Sequence, residues 1–182
     1  MAVVLETRNL TKRFGELQAV KNLSFQVEEG QVFGIAGPNG AGKTTLFNVI
    51  SGVYRGTGTI MFRGHRIDRL RPHQICRLGL TRTFQTPSVF TSLSVYQNIK
   101  IGAHFGDHRT GTAQSEEENI REVIELVGLT GKETVIATHL SLFDKKMTML
   151  GAALATRPRV LMLDEPIGGL SPIEIETSSG VF

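Results

Sequence analysis

The sequence predicts an α/β fold with a parallel sheet, and three observations predict it. "QVFGIAG", a short apolar β-prone run, leads through "GPNGAGKTT" into Leu46, Val49, Ile50 and Val53 at helical spacing, which is the order strand, loop, helix. "RVLMLDEP" is a continuous apolar run closed by two carboxylates, the pattern of a strand covered on both faces. At 182 residues and 40% hydrophobic, the chain is long and apolar enough for one domain with a sizeable core.

Each element follows from local pattern. Leu23, Phe25 and Val27 alternate with Ser24, Gln26 and Glu28, the period of a half-buried strand, and "EEG" turns the chain. "QVFGIAG" reads as a buried strand, and the helix after the glycine loop ends near Gly52. "GTGTIMFRGHRI" reads as a strand or hairpin bounded by glycines. "DRLRPHQICRLGL" is helical in part, "LTRTFQ" alternates, and "GAHFGDHRTGTAQ" reads as a loop. Ser115 with Glu118 forms a capping-box pattern ahead of the stripe Ile120, Val123, Ile124 and Val127, which Gly128 closes. A further helix is expected from about Phe143 to Ala155, before Pro158. The last ten residues show no clear element.

The totals exclude several classes. No run approaches the ~18–20 apolar residues of a membrane helix, and the start "MAVVLETRNL" has no secretory pattern. A single cysteine, Cys76, rules out an internal disulfide framework and fits a reducing compartment. Net charge is only +3, and the basic stretch "FRGHRIDRLRPHQICR" lacks interleaved aromatics, so a solvated face is expected and nucleic acid is not.

Chemistry concentrates in two motifs. Gly37-x-x-x-x-Gly42-Lys43-Thr44 is the phosphate-binding pattern G-x-x-x-x-G-K-[ST]. Its glycines allow positive φ and close backbone approach, so the main chain of Gly37, Pro38, Asn39, Gly40, Ala41, Gly42, Lys43, Thr44 and Thr45 can cradle a polyanion at a helix start. Lys43 would neutralise the β and γ phosphates, and the Thr44 hydroxyl would ligate Mg2+. At the C-terminal end of the second strand, Asp164 is the second candidate metal ligand and Glu165 the candidate base that polarises a water. No guanine-selective N/T-K-x-D is present, which weakens a guanine-specific reading. A "DEP" ending favours hydrolysis over transfer to a small acceptor.

With these motifs in place, the chain from about Leu5 to Pro172 resembles the ATP-binding subunit of ABC transporters. "LTKRFGELQAVKNLSFQVEEGQ" is similar to that family's N-terminal antiparallel sheet, and "EPIGGLSP" to its D-loop region. The resemblance implies that Phe14 stacks on adenine and that Gln85, in "LTRTFQ", senses the metal and the γ-phosphate. More narrowly, "RLGLTRTFQTPSVFTSLSVYQNI" is similar to subunits that serve branched-chain amino-acid importers. The implied fold is an ABC ATPase core from about 1–85 and 157–182, with a helical subdomain over about 86–156. The implied partners are a membrane permease, with Val89, Phe90 and Leu93 as apolar contacts, and a second ATP-binding subunit, at the inner face of the membrane.

Two departures stand out. The signature L-S-G-G-Q is replaced by "LSLFDKK", with Phe143 at a glycine position and Asp144 at the glutamine. Added bulk and a charge of the wrong sign predict an impaired phosphate cap. The family's final strand and switch histidine have no counterpart before Phe182, so the C-terminal strands are expected to be missing, which would leave sheet edges unpaired. Two readings follow: a transport ATPase, or an ATP-binding remnant that does not hydrolyse. A nucleic-acid-associated ATPase would want a strongly basic face.

Overall fold

The computed structural model describes residues 2–106, 113–165 and 168. They fall into two compact units, 1–75 and 76–182.

The first unit is built on an antiparallel sheet of strands β1 (Val3–Phe14), β2 (Leu17–Glu28), β3 (Thr57–Phe62) and β4 (His65–Arg66), in the order β2-β1-β3-β4. Leu5 of β1 stands opposite Val27 of β2 and Phe62 of β3, and these three share the core with Leu10 and Ile60. β1 bulges at Asn9, whose φ is +52. Gly58 faces the bulge at φ +99, where a Cβ would come within 2.6 Å of the Arg8 and Asn9 carbonyls. The expected glycine-bounded hairpin is β3–β4, turning at Arg63 and Gly64, both with positive φ. Helix α1 (Lys43–Ile50) buries Leu46, Val49 and Ile50, as its spacing requires, while Val53 lies beyond it and is exposed.

One expected strand is not formed. Residues 31–38 carry no strand structure, Val32 is 99% exposed, and Phe33 stacks on Phe25 at 5.1 Å between ring centroids. An apolar β-prone run becomes a strand only when a ladder satisfies its amides and carbonyls. No strand among the described residues pairs with this one.

In the second unit, strands β5 (Leu80–Arg82) and β6 (Val160–Met162) pair in parallel, with Leu80 opposite Val160 and Arg82 opposite Met162. α2 (Pro72–Arg77) precedes them. Helices α3 (Val95–Phe105), α4 (Ala113–Leu126) and α5 (Leu142–Ala155) enclose a core that includes Ile99, Ile120, Val123, Ile124, Val127 and Leu150. α3 and α5 pack closely: a Cβ on Gly102 would overlap the Ala152 carbonyl. The loop expected at 102–114 is helical at its start, because α3 extends to Phe105; residues 107–112 lie outside the described set. Ser115 is not the cap of α4. The helix begins at Ala113, and Ser115 sits within it, its carbonyl accepting from Arg157 at 3.0 Å. A capping pattern marks the first turn only to within a residue or two. Gly128, at φ +69, closes α4 with paired bonds from Leu129 N to Ile124 O and from Gly128 N to Glu125 O. Among the described residues no helix is long and apolar enough to cross a membrane.

Candidate functional site

The glycine loop belongs to the first unit. Gly42 is the N-cap of α1 at φ +88 and supplies no capping side chain, and the first turn carries no acidic residue. A helix start of that kind presents amides and a positive dipole end to an incoming anion. The Gly42 position is closed to a side chain, since a Cβ would lie 2.1 Å from the Ala19 carbonyl of β2. Gly40 holds φ +82, and Ala41 N donates to Pro38 O at 3.1 Å. Lys43 folds back over the loop, its Nζ donating to Gly37 O at 2.6 Å and Pro38 O at 3.1 Å. Residues Pro38 to Ala41 and Thr44 are exposed, and Thr45 is half-buried. An open loop of amides with one ammonium over it suits a polyphosphate. Phe14, at the end of β1, is 42% exposed, meets Tyr54 edge-on at 5.3 Å, and has Lys12 Nζ 4.7 Å from its ring centroid. The ring is accessible to a flat base.

The acidic pair belongs to the second unit. Gln85 and Asp164 follow the C-terminal ends of the neighbouring parallel strands β5 and β6, and Thr83 N extends the ladder to Met162 O at 3.0 Å. Asp164 is buried and pairs with Arg82 at 3.2 Å, the two side chains 4% and 5% exposed. Burial pulls the Arg82 guanidinium down, and the Asp164 carboxylate opposes that. Glu165 is exposed, stands at φ +50, and accepts from Gln85 Nε2 at 2.6 Å. Lys146 of α5 donates to the carbonyls of Glu165, at 3.4 Å, and Gly168. Burial lowers its ammonium below the usual lysine range, with Glu165 pulling the other way. Thr44 in the first unit offers a hydroxyl and Asp164 in the second a carboxylate, and each by itself is a hard oxygen donor of the kind magnesium takes.

The signature stretch opens α5. Ser141 caps α5, accepting from Asp144 N at 3.0 Å. Asp144 is not a bare charge at the helix start: it is buried, and both its oxygens accept from Lys132 Nζ at 2.8 Å. Phe143 packs against the helical core, and Leu142 is the exposed residue of the pair. Of the apolar contacts expected for a permease, Phe90 is exposed, and Val89 and Leu93 are half-buried. Apart from Glu165 and Gly168, "EPIGGLSP" lies outside the described residues.

Sequence reasoning missed Arg82, Lys132 and Lys146. A signal existed for Lys146, which lies three residues after Phe143 and four before Leu150, a charge on an apolar stripe.

A phosphate loop opening α1 and acids ending a parallel strand define a nucleotide-binding α/β cassette. The ABC transporter family model matches residues 20–168, and the chain belongs to that family. The branched-chain amino acid transport ATP-binding protein BraF of Pseudomonas aeruginosa is 37% identical over 95% of this chain and 73% of its own length. LivG of Escherichia coli, named for the same transport, is 35% identical over 94% of this chain and 72% of its own length. Among solved structures, the ADP conformation of the ATP-binding cassette MJ1267 matches with TM-score 0.84 and 30% identity, covering all of this chain and 76% of that one. A nucleotide-free cassette from an ABC transporter matches with TM-score 0.81 and 31% identity, covering 96% of this chain and 73% of that one. The expected fold class, an ABC ATPase core with an N-terminal antiparallel region and helices, is borne out. The chain is an ATP-binding subunit of an ABC transporter, a class of ATPases coupled to transport.

Proposed function

We propose that this subunit binds Mg-ATP and hydrolyses it to drive import of branched-chain amino acids, working with permease subunits and a second ATP-binding subunit at the inner face of the membrane. The observation that carries the reading is the Gly37–Thr45 loop: an uncapped helix start, a glycine closed to any side chain, and Lys43 folded over the opening. The names of BraF and LivG support the solute class.

The residues divide the work. Main-chain amides of Gly37 and of Asn39 to Thr45 would hold the phosphates. Lys43 would exchange two neutral carbonyls for anionic oxygens, and charge-assisted hydrogen bonds are roughly twice as strong as neutral ones. Phe14 would stack on the base at small entropic cost. The Thr44 hydroxyl and the Asp164 carboxylate would hold Mg2+, with Gln85 as a further ligand. Bound magnesium would neutralise charge on the phosphates. Glu165, held by Gln85, would orient and deprotonate the attacking water.

Single-turnover hydrolysis and calorimetric ATP binding test this on the full chain. Lys43→Ala is expected to abolish binding. Glu165→Gln is expected to keep binding and lower hydrolysis by roughly 10²–10⁴-fold. Binding without turnover in the unaltered chain would instead make it an ATP-binding subunit that does not hydrolyse. In the native host, Lys43→Ala should lower uptake of labelled leucine and leave an unrelated solute untouched. Unchanged leucine uptake would overturn the solute class.

A further inference from the structure

Lys146 of α5 is 4% exposed, a lysine buried on a helix whose neighbouring Met147 and Leu150 belong to the helical core. Burying an ammonium is costly unless hydrogen bonds compensate it, and a leucine or methionine would fill the same volume without that cost. The functional reading above gives this side chain no task. Its Nζ is directed at main chain, to the carbonyls of Glu165 and Gly168. Gly168 N in turn donates to Glu165 O at 3.1 Å, so these two residues are tied to each other as well as to one ammonium. Glu165 stands at φ +50, a region that non-glycine residues keep only where their surroundings over-determine it. In that conformation its carboxylate meets Gln85 at 2.6 Å.

We propose that Lys146 is a positioning residue for Glu165: by clamping the Glu165 and Gly168 carbonyls it fixes the turn after β6 and aims the Glu165 carboxylate at Gln85. It acts through the main chain of Glu165. The inference rests on the reading of Glu165 as the residue that activates water. It also makes Lys146 the link between that acid and α5, whose first turn carries the signature stretch.

The test uses the full chain with Lys146→Met, which removes the donor at similar length, and Lys146→Arg, which keeps donors. Lys146→Met should lower single-turnover hydrolysis by roughly tenfold to hundredfold, the scale of a misplaced reacting group, with the ATP Kd held within about threefold. Lys146→Arg should restore a substantial part of the rate. In a Gln85→Ala background the Lys146→Met loss should shrink, because the contact it aims is gone. Hydrolysis within about twofold of the unaltered chain for Lys146→Met, or an undiminished loss in the Gln85→Ala background, overturns the proposal. If circular dichroism shows Lys146→Met unfolded, Lys146→Gln, which is too short for both carbonyls, is measured against the same criteria. Glu165→Gln separates the two claims. A rate unaffected by Glu165→Gln brings down the reading of Glu165 and the clamp with it. A rate lost in Glu165→Gln but kept in Lys146→Met brings down the clamp alone.

Discussion

Gly42 meets two demands at once: φ is +88, and the Ala19 carbonyl occupies the space a Cβ would take. Gly64 also has positive φ, +79, but nothing lies within 4 Å of its Cβ position. The pair separates backbone strain from overlap. Gly64→Ala should cost about 1 kcal/mol. Gly42→Ala should cost several-fold more, because β2 or α1 must shift, and it should remove ATP binding. Urea unfolding and calorimetry on both variants check this, and equal costs would mean the contact with Ala19 relaxes freely. Thr83 gives the opposite case. It is buried, and its hydroxyl has no hydrogen-bond partner among the described residues. A buried unpaired hydroxyl costs about 1–3 kcal/mol, so Thr83→Val, of nearly the same shape, should be neutral or stabilising in the same assay. A clear loss would show that the hydroxyl has a partner.

Helix α3 starts with a reciprocal cap: Ser94 Oγ accepts from Gln97 N, and Gln97 returns its side-chain oxygen to Ser94 N. Ser94→Ala should cost about 1 kcal/mol. The Tyr96 hydroxyl of the same helix donates to Glu117 of α4 at 2.6 Å, and that bond holds the phenol above the ordinary tyrosine range. A raised folded pKa stabilises the fold below the unfolded value, about 10, and the contribution is lost as pH rises through the folded value. Stability of the unaltered chain should therefore fall more steeply above about pH 10 than that of Tyr96→Phe, and parallel curves would refute the coupling. These bonds also show what local pattern conveys. β2, the β3–β4 hairpin, α4 and α5 were legible because period and stop signals lie within each segment. α3 was not, although Val95, Ile99 and Ala103 line one face, because Gly102 and the following glycines read as loop. Residues 31–38 failed the other way: their apolar run promised a strand, but a ladder is a tertiary property. The phosphate loop was readable because its parts are contiguous. Arg82 was not, and for Lys146 only its place on an apolar stripe was, since their partners lie 82 and 19 residues away in sequence.

At the scale of the chain, the phosphate loop belongs to the unit of residues 1–75 and the acidic pair to the unit of residues 76–182. Binding and turnover are therefore expected to separate under mutation. A ligand that binds only the folded loop stabilises the fold by RT ln(1 + [L]/Kd), about 2.7 kcal/mol at a hundredfold excess over Kd. For a chain of this size each kcal/mol moves Tm by about 2–4 °C, so saturating ATP with magnesium should raise Tm by roughly 5–10 °C. Lys43→Ala should erase that shift, since its ammonium is the charge held over the loop by Gly37 O and Pro38 O. Glu165→Gln should keep it in full, because its carboxylate meets Gln85 and not the loop. The two variants thus divide the shift between phosphate binding and water activation. If ATP with magnesium leaves the Tm of the folded chain unmoved, the amides at the start of α1 do not hold a polyphosphate, and the role assigned to Lys43 falls. If Lys43→Ala retains the shift, the nucleotide is held elsewhere on the chain, and the uncapped helix start has to be explained without it.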